Sequence, residues 1–176
     1  AGVTHFGESR VHGWDPKARH LGDLEAAWHL VGHLQRNKAA RAVSLFHTVD
    51  SVDGLPLAER LDRAAGEGRR LPVLLEVRLD SAGAKSGCPP EEVPRLAEGL
   101  LLLPRLEWRG LMSIAPLVEN PEDARRAFRR LRELREILEA NELELKPPVK
   151  GFEDAHPPVV TVGGLVFNDA GQVLLV

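Results

Sequence analysis

The residues best placed for chemistry lie in the stretch Trp28-His29-Leu30-Val31-Gly32-His33-Leu34-Gln35-Arg36-Asn37-Lys38. Apolar Leu30 and Val31 stop at Gly32, and polar Gln35, Asn37 and Lys38 follow. This reads as a short buried strand, a glycine turn and the start of a helix. In α/β proteins ligands bind in the crevice beyond the carboxyl ends of the strands. Gln35, Asn37 and Lys38 are therefore candidates for a site, and they serve equally well as a solvated first helical turn, where polar residues are common. Lys38 and Lys85 both follow strand ends, whereas Lys17 reads as surface and Lys146 and Lys150 as linker. A lysine amine attacks a carbonyl only when it is partly desolvated and neutral, so Lys38 and Lys85 are the two candidates for that role.

Other groups carry less. His29 and His33 are four residues apart, but Gly32 breaks any helix between them, so no metal site is assigned. Trp28 and His29 alternate along a strand, which turns one to the sheet's interior side and the other to the helices. His47 is expected within a strand of its own. Met112 serves as core or as a ligand contact. Cys88 precedes Pro89-Pro90 with no histidine beside it, and no nucleophile is assigned there. Arg125-Arg126 and Arg129-Arg130 read as a solvated helix face. No glycine-rich loop of Walker or Rossmann spacing occurs, and no catalytic residue is assigned.

The elements that position these groups follow from periodicity. Val3 to Phe6 reads as a strand end with Gly7 as its turn, and a helix opens at Glu8 but is interrupted at Gly13 and Pro16. Ala26–Val31 is a strand, Gln35–Val43 a helix and Leu45–Val49 a β-branched, aromatic strand. Asp50-Ser51-Val52-Asp53-Gly54 is turn chemistry. Leu57, Leu61 and Ala64 define a helix closed by Gly66 and Gly68. Pro72–Leu79 is a strand, residues 81–87 a loop of small residues around Lys85, and Pro90–Leu103 a helix. Trp108–Ile114 is a strand. Pro121–Ala140 is the best helix, with Asn120 as its cap and Phe128, Leu131, Leu134 and Leu138 as its stripe.

Strands thus alternate with amphipathic helices, which predicts a parallel sheet with helical crossovers, doubly wound or part of a (β/α)₈ barrel. About five strands precede Ala140, short of the eight a barrel needs. The expected fold class is α/β, a partial (β/α) barrel of parallel strands plus a C-terminal antiparallel hairpin. The expected organisation is a barrel segment over residues 1–145, a Pro/Gly linker over 146–157 and a hairpin over 158–176.

Composition bounds the function. A chain of 176 residues with 43% apolar and 28% charged residues is a globular domain of ordinary size. The net charge of −3 argues against binding nucleic acid through a basic surface. The single Cys88 suits a reducing, cytoplasmic setting. No apolar run approaches the roughly 20 residues of a membrane helix, so no membrane partner is expected. No secretory signal is visible. The first residue is not Met, and the expectation is a chain that starts mid-domain or has been processed.

Four segments, in order, resemble the pyridoxal phosphate homeostasis proteins, the YggS-type family. Phe6-Gly7-Glu8-Ser9-Arg10-Val11 is similar to its F-G-E-N-x-V element, and Trp28 to Lys38 to its W-H-x-I-G-x-L-Q-x-N-K element. Lys85-Ser86-Gly87 follows a strand as the family's K-x-G does. Arg109 to Pro116 is similar to its R-G-L-M-x-I-x-P strand. The resemblance covers about residues 5–140. It implies a fold related to the N-terminal barrel of alanine racemases and pyridoxal 5′-phosphate held as a Schiff base, without an established catalytic reaction. Carried over by position, the cofactor-binding candidates are Ser9, His29, Gly32, Asn37, Lys38, Lys85, Met112 and Ser113. Ser9 stands where the family has Asn. The family's Schiff-base lysine precedes the F-G-E-N element, and its phosphate-binding segments follow the long helix. Neither occurs in the 176 residues, so cofactor binding is expected to be impaired.

The tail differs. Pro158 to Val176 resembles the opening hairpin of a Nudix hydrolase, with Asn168-Asp169-Ala170-Gly171 as its turn. The metal-binding glutamate box of that family does not follow. Two alternatives stand beside a cofactor-binding protein: a non-catalytic joined fragment with a structural or interaction role, and a Nudix-type phosphohydrolase fragment. An incomplete barrel exposes sheet edges, so either the hairpin covers an edge or the chain self-associates.

Overall fold

The fold is that of a computed structural model, which describes residues 4–21, 26–68, 70–79, 86–114, 121–140, 161–162, 165–167 and 173–175. Lys85, Asn120, the 146–157 linker and the Asn168–Gly171 turn lie outside the described residues. Five strands, β1 (His5–Glu8), β2 (Ala27–Leu30), β3 (Thr48–Val52), β4 (Leu71–Glu76) and β5 (Leu106–Met112), form one parallel sheet in sequence order. Four helices follow β1 to β4 in turn, with α1 (Val11–Leu21) after β1, α2 (Ala39–Leu45) after β2, α3 (Leu55–Ala65) after β3 and α4 (Val93–Leu101) after β4. The helix α5 (Pro121–Ala140) follows β5 over the residues its periodicity predicts. Among the described residues the sheet does not close. It is the partial α/β architecture of parallel strands expected from the alternation.

Beyond α5, β6 (Thr161–Val162), β7 (Leu165–Phe167) and β8 (Val173–Leu175) pair antiparallel. Among the described residues no helix is long and apolar enough to cross a membrane.

One face of the sheet packs on the helices. Leu30, Val49, Val52, Val73, Leu75, Leu106, Trp108 and Leu111 meet Ala42, Leu57, Leu61, Val93, Leu96, Leu100, Leu131 and Leu138 in a single apolar cluster. Each fully buried leucine contributes roughly 1.5–3 kcal/mol. This face fixes the strands, and the period of two turns residues such as His29, Asp50, Glu76 and Glu107 to the opposite, concave face, the register shifting once in β3 and once in β5.

Three local readings are corrected. The strand expected over Leu45–Val49 lies over Thr48–Val52, because the Phe46 N–H still bonds to Ala42 O and closes α2. Asp50, Ser51 and Val52 are strand rather than turn. Asp50 and Ser51 are satisfied there by His29 and by the Gly32 carbonyl, so tertiary partners override their turn preference. His47 falls outside the strand, exposed, with Nδ1 accepting from the Trp28 N–H at 3.0 Å.

At the start of the chain β1 runs through Gly7 to Glu8, and α1 begins at Val11 rather than Glu8. Glu8 Oε1 accepts from the N–H groups of Ser9 and Arg10 and so ends the strand. The helix continues past Gly13 and Pro16 because Val11, Trp14, Ala18 and Leu21 dock on the core. Tertiary packing outweighs the local breakers.

Candidate ligand site at the carboxyl rim

Parallel strands put all their carboxyl ends on one rim. Ser9 follows β1, Val31 and Gly32 follow β2, Asp53 follows β3, Val77 follows β4, and Met112 and Ser113 end β5. Of the sequence candidates, Ser9, Gly32, Met112 and Ser113 therefore share this rim. Asn37 and Lys38 lie in a single 3₁₀ turn, Arg36–Lys38, between β2 and α2. Asn37 is exposed and Lys38 half-buried. His29 sits below the rim on the concave face, and Lys85 lies outside the described residues.

Several of these residues have structural work at the rim. A Cβ on Gly32 would collide with the Ser9 backbone, its Cα and carbonyl carbon both 2.8 Å away. The Gly32 carbonyl also accepts from Ser51 Oγ at 2.7 Å. Gly32 thus locks the loops after β1 and β2 together. Ser113 Oγ donates to Val77 O at 2.7 Å, which ties β5 to β4. Met112 is fully buried, and its pairing with Glu76 places both on the face opposite Leu75 and Leu111.

The concave floor is polar. Trp28 turns to the helices and lies against Phe6 and Trp14, with ring centroids 4.9 and 3.8 Å away. His29 therefore points the other way. Its Nδ1 lies 2.9 Å from Asp50 Oδ2 and 2.8 Å from Thr48 Oγ1, and Thr48 Oγ1 donates to Asp50 Oδ1 at 2.8 Å. Its Nε2 lies 2.9 Å from His5 Nδ1. Burial pushes the His29 imidazole down, but the charge and the hydrogen bond of Asp50 together outweigh it, and the net shift is upward. His5 is shifted down by burial and by His29. Further along the floor, Arg109 Nη2 lies 3.2 Å from both Glu107 carboxylate oxygens, and its charge reaches His29.

Closer to the rim, Glu76 is buried at the end of β4. Burial raises its carboxyl above the ordinary value, Asp53 adds to the rise, and the Ser86 hydrogen bond opposes it. At the mouth His33 Nδ1 lies 3.5 Å from Asp53 Oδ2. Cys88, pushed up to about 12 by burial, is a poor nucleophile. Among the described residues no group of three or more His, Cys, Asp or Glu could hold a metal ion.

Sequence reasoning missed His5, Thr48, Asp50, Glu76, Glu107 and Arg109. A signal existed. Strands β2, β3 and β4 each carry one ionisable residue (His29, Asp50 and Glu76), and β5 carries two, Glu107 and Arg109. In a sheet covered by apolar packing on both faces such residues are out of place, so together they mark a polar, concave face. It presents the Arg109 guanidinium and the His29 imidazole, each beside a carboxylate, and a set of hydrogen-bond donors.

The comparisons agree with this architecture. Residues 1–150 match the family model of the alanine racemase N-terminal domain, which sets the class of the fold. A pyridoxal phosphate homeostasis protein of Aquifex aeolicus is 38% identical over 178 residues, covering 96% of this chain and 78% of that protein. One from Pseudomonas aeruginosa is 40% identical over 142 residues, covering 80% of this chain and 61% of that protein. The solved structure of PipY from Synechococcus elongatus PCC7942, with PLP bound, is 34% identical with a TM-score of 0.76, covering 92% of this chain and 80% of that one. The chain belongs to the pyridoxal phosphate homeostasis protein family.

Proposed function

We propose that this chain is a pyridoxal 5′-phosphate-binding protein of the cofactor homeostasis type. The observation that carries the reading is a PLP-bound relative that shares its fold over nearly the whole chain. The polar face offers hydrogen-bond donors to an anionic, phosphorylated pyridine aldehyde, in the Arg109 guanidinium beside Glu107 and the His29 imidazole that Asp50 shifts upward. The buried Glu76 Oε2, which has no partner among the described residues, adds a polar atom near the rim. When bound, the cofactor supplies an aldehyde that condenses with a lysine amine. Within the chain Lys38 and Lys85 are the proposed amines. Ser9, His29, Gly32, Asn37, Met112 and Ser113 are the proposed surroundings.

The finer proposals follow. Binding by these 176 residues alone is weak, since the family's lysine before the F-G-E-N element and its phosphate-holding segments have no counterpart among them. The chain divides into a barrel segment (1–145), a linker (146–157) and a separate hairpin (158–176) that covers a sheet edge or leaves it to a second copy. The single buried Cys88 is in keeping with a cytoplasmic setting.

The test mixes the protein with pyridoxal phosphate, follows the absorbance of the bound aldehyde, reduces with borohydride and maps the product by mass spectrometry. A covalent adduct at Lys38 or Lys85 is expected. No saturable absorbance change and no adduct would overturn the reading.

A further inference from the structure

Among the described residues one buried carboxyl is only half satisfied. Glu76 closes β4, is 3% exposed and pairs in register with Met112 of β5, on the face opposite Leu75 and Leu111. Its Oε1 accepts from Ser86 Oγ at 2.7 Å, while Oε2 is buried with no partner among the described residues. We propose that Glu76 is a ligand-contacting residue, whose Oε2 hydrogen-bonds to an acceptor atom of the bound molecule, an oxygen or an aromatic nitrogen. The proposal rests on the reading of a cofactor site on this face. It goes beyond that reading by assigning one contact residue and the kind of ligand atom it meets.

Buried polar atoms in native proteins nearly always have partners, and one left without costs about 1–3 kcal/mol. The fold does not require that cost here. Leu74, two residues earlier on the same face of β4, is apolar, so this face of the strand accepts a leucine. The other ionisable groups of the floor answer one another, His29 with Asp50 and Arg109 with Glu107. Glu76 has a serine alone, and no described lysine, arginine or histidine pairs with it. It also stands at the carboxyl end of its strand, where parallel α/β sheets bind their ligands. An incomplete hydrogen-bonding group at that place is completed by what binds there.

The role of Oε2 follows from its surroundings. The charged groups that reach Glu76 are Asp53 and His33, and these face each other across 3.5 Å at the mouth. A buried carboxyl with no cation paired to it is held neutral, and a neutral carboxyl carries one O–H. Ser86 Oγ has no acceptor among the described residues other than Oε1. The serine hydrogen therefore occupies Oε1, and the carboxyl hydrogen lies on Oε2, a donor without an acceptor. Pyridoxal phosphate carries both kinds of acceptor on its ring, a phenolic oxygen and the pyridine nitrogen.

The experiment, on the intact protein, separates a ligand contact from a structural one. Glu76→Leu removes the unmatched oxygen and leaves the half-buried Ser86 to water. Its melting temperature is expected to equal or exceed that of the unaltered protein, while its affinity for pyridoxal phosphate falls about five- to tenfold, the effect of one lost hydrogen bond. Glu76→Gln, whose amide keeps an acceptor for Ser86 and a donor beside it, is expected to bind within about twofold of the unaltered protein. Equal affinity of Glu76→Leu and the unaltered protein would overturn the proposal, and so would a Glu76→Gln as weak as Glu76→Leu. A second measurement does not depend on the leucine variant folding. Infrared difference spectra of the unaltered protein on adding pyridoxal phosphate are expected to show a protonated-carboxyl band that shifts on binding and is missing from Glu76→Gln. Absence of that band, with binding intact, would overturn the proposal alone. No binding by the unaltered protein would overturn the reading beneath it, and the ligand contact with it.

Discussion

Glu76 Oε1 accepts a hydrogen bond from Ser86 Oγ at 2.7 Å, while Oε2 of the same carboxyl is buried without a partner among the described residues. A charged carboxylate there is poorly compensated, and burial accordingly raises its proton affinity. The folded state thus binds this proton more tightly than the unfolded chain does. Its contribution is fully present below the ordinary glutamate value and is lost as pH rises through the raised folded value. Urea melts across pH are expected to show this decline in the unaltered protein and a flatter profile in Glu76→Gln, which keeps an acceptor for Ser86.

Asp50→Asn tests the pairing with His29. The folded imidazole lies above its ordinary value, so its stabilisation is fully present below the unfolded histidine value and fades as pH rises through the folded one. The variant is expected to lose about 1–3 kcal/mol near pH ~6, in the range for breaking a buried, charge-assisted hydrogen bond. The deficit should narrow at higher pH. A deficit independent of pH in chemical denaturation would contradict the pairing.

Two glycines separate backbone from side-chain crowding. A Cβ on Gly32 meets the Ser9 backbone, which cannot swing aside, whereas a Cβ on Gly99 meets only the tip of Leu55. Gly32→Ala is expected to cost about 2 kcal/mol or more, within the range for overpacked sites. Gly99→Ala should cost less, because alanine gains about 0.5–1 kcal/mol inside a helix. Thermal melts of the two variants rank them directly.

Cys88 is 2% exposed and its thiol is pushed up to about 12. Reaction with an aromatic disulfide reagent is expected to be slow in the native protein and fast in denaturant. Rapid native labelling would mean that the β4–Cys88 region opens readily.

The alternation of strands and helices was legible because the strand cores, such as Val73-Leu74-Leu75, are apolar runs, and because Pro121 and the leucine stripe bound α5. The rim was legible through Gly32 and Met112-Ser113. The floor was not. Asp50-Ser51-Val52-Asp53-Gly54 has the composition of a turn, and only partners 19 and 21 residues away in sequence make Asp50 and Ser51 strand residues. His5 lies within the expected strand end Val3 to Phe6, but its contact is with His29, 24 residues away in sequence. Glu76 passed unnoticed inside an apolar run, since burial there depends on neighbouring strands and not on adjacent residues.

The contact between Trp14 and Trp28, centroids 3.8 Å apart and planes inclined by 30°, gives the molecule an optical label. Two indoles this close couple electronically and produce a characteristic circular-dichroism couplet in the ultraviolet. Trp28 is the neighbour of His29 along β2, so a change on the concave floor that shifts the strand would alter that signal without any dye attached.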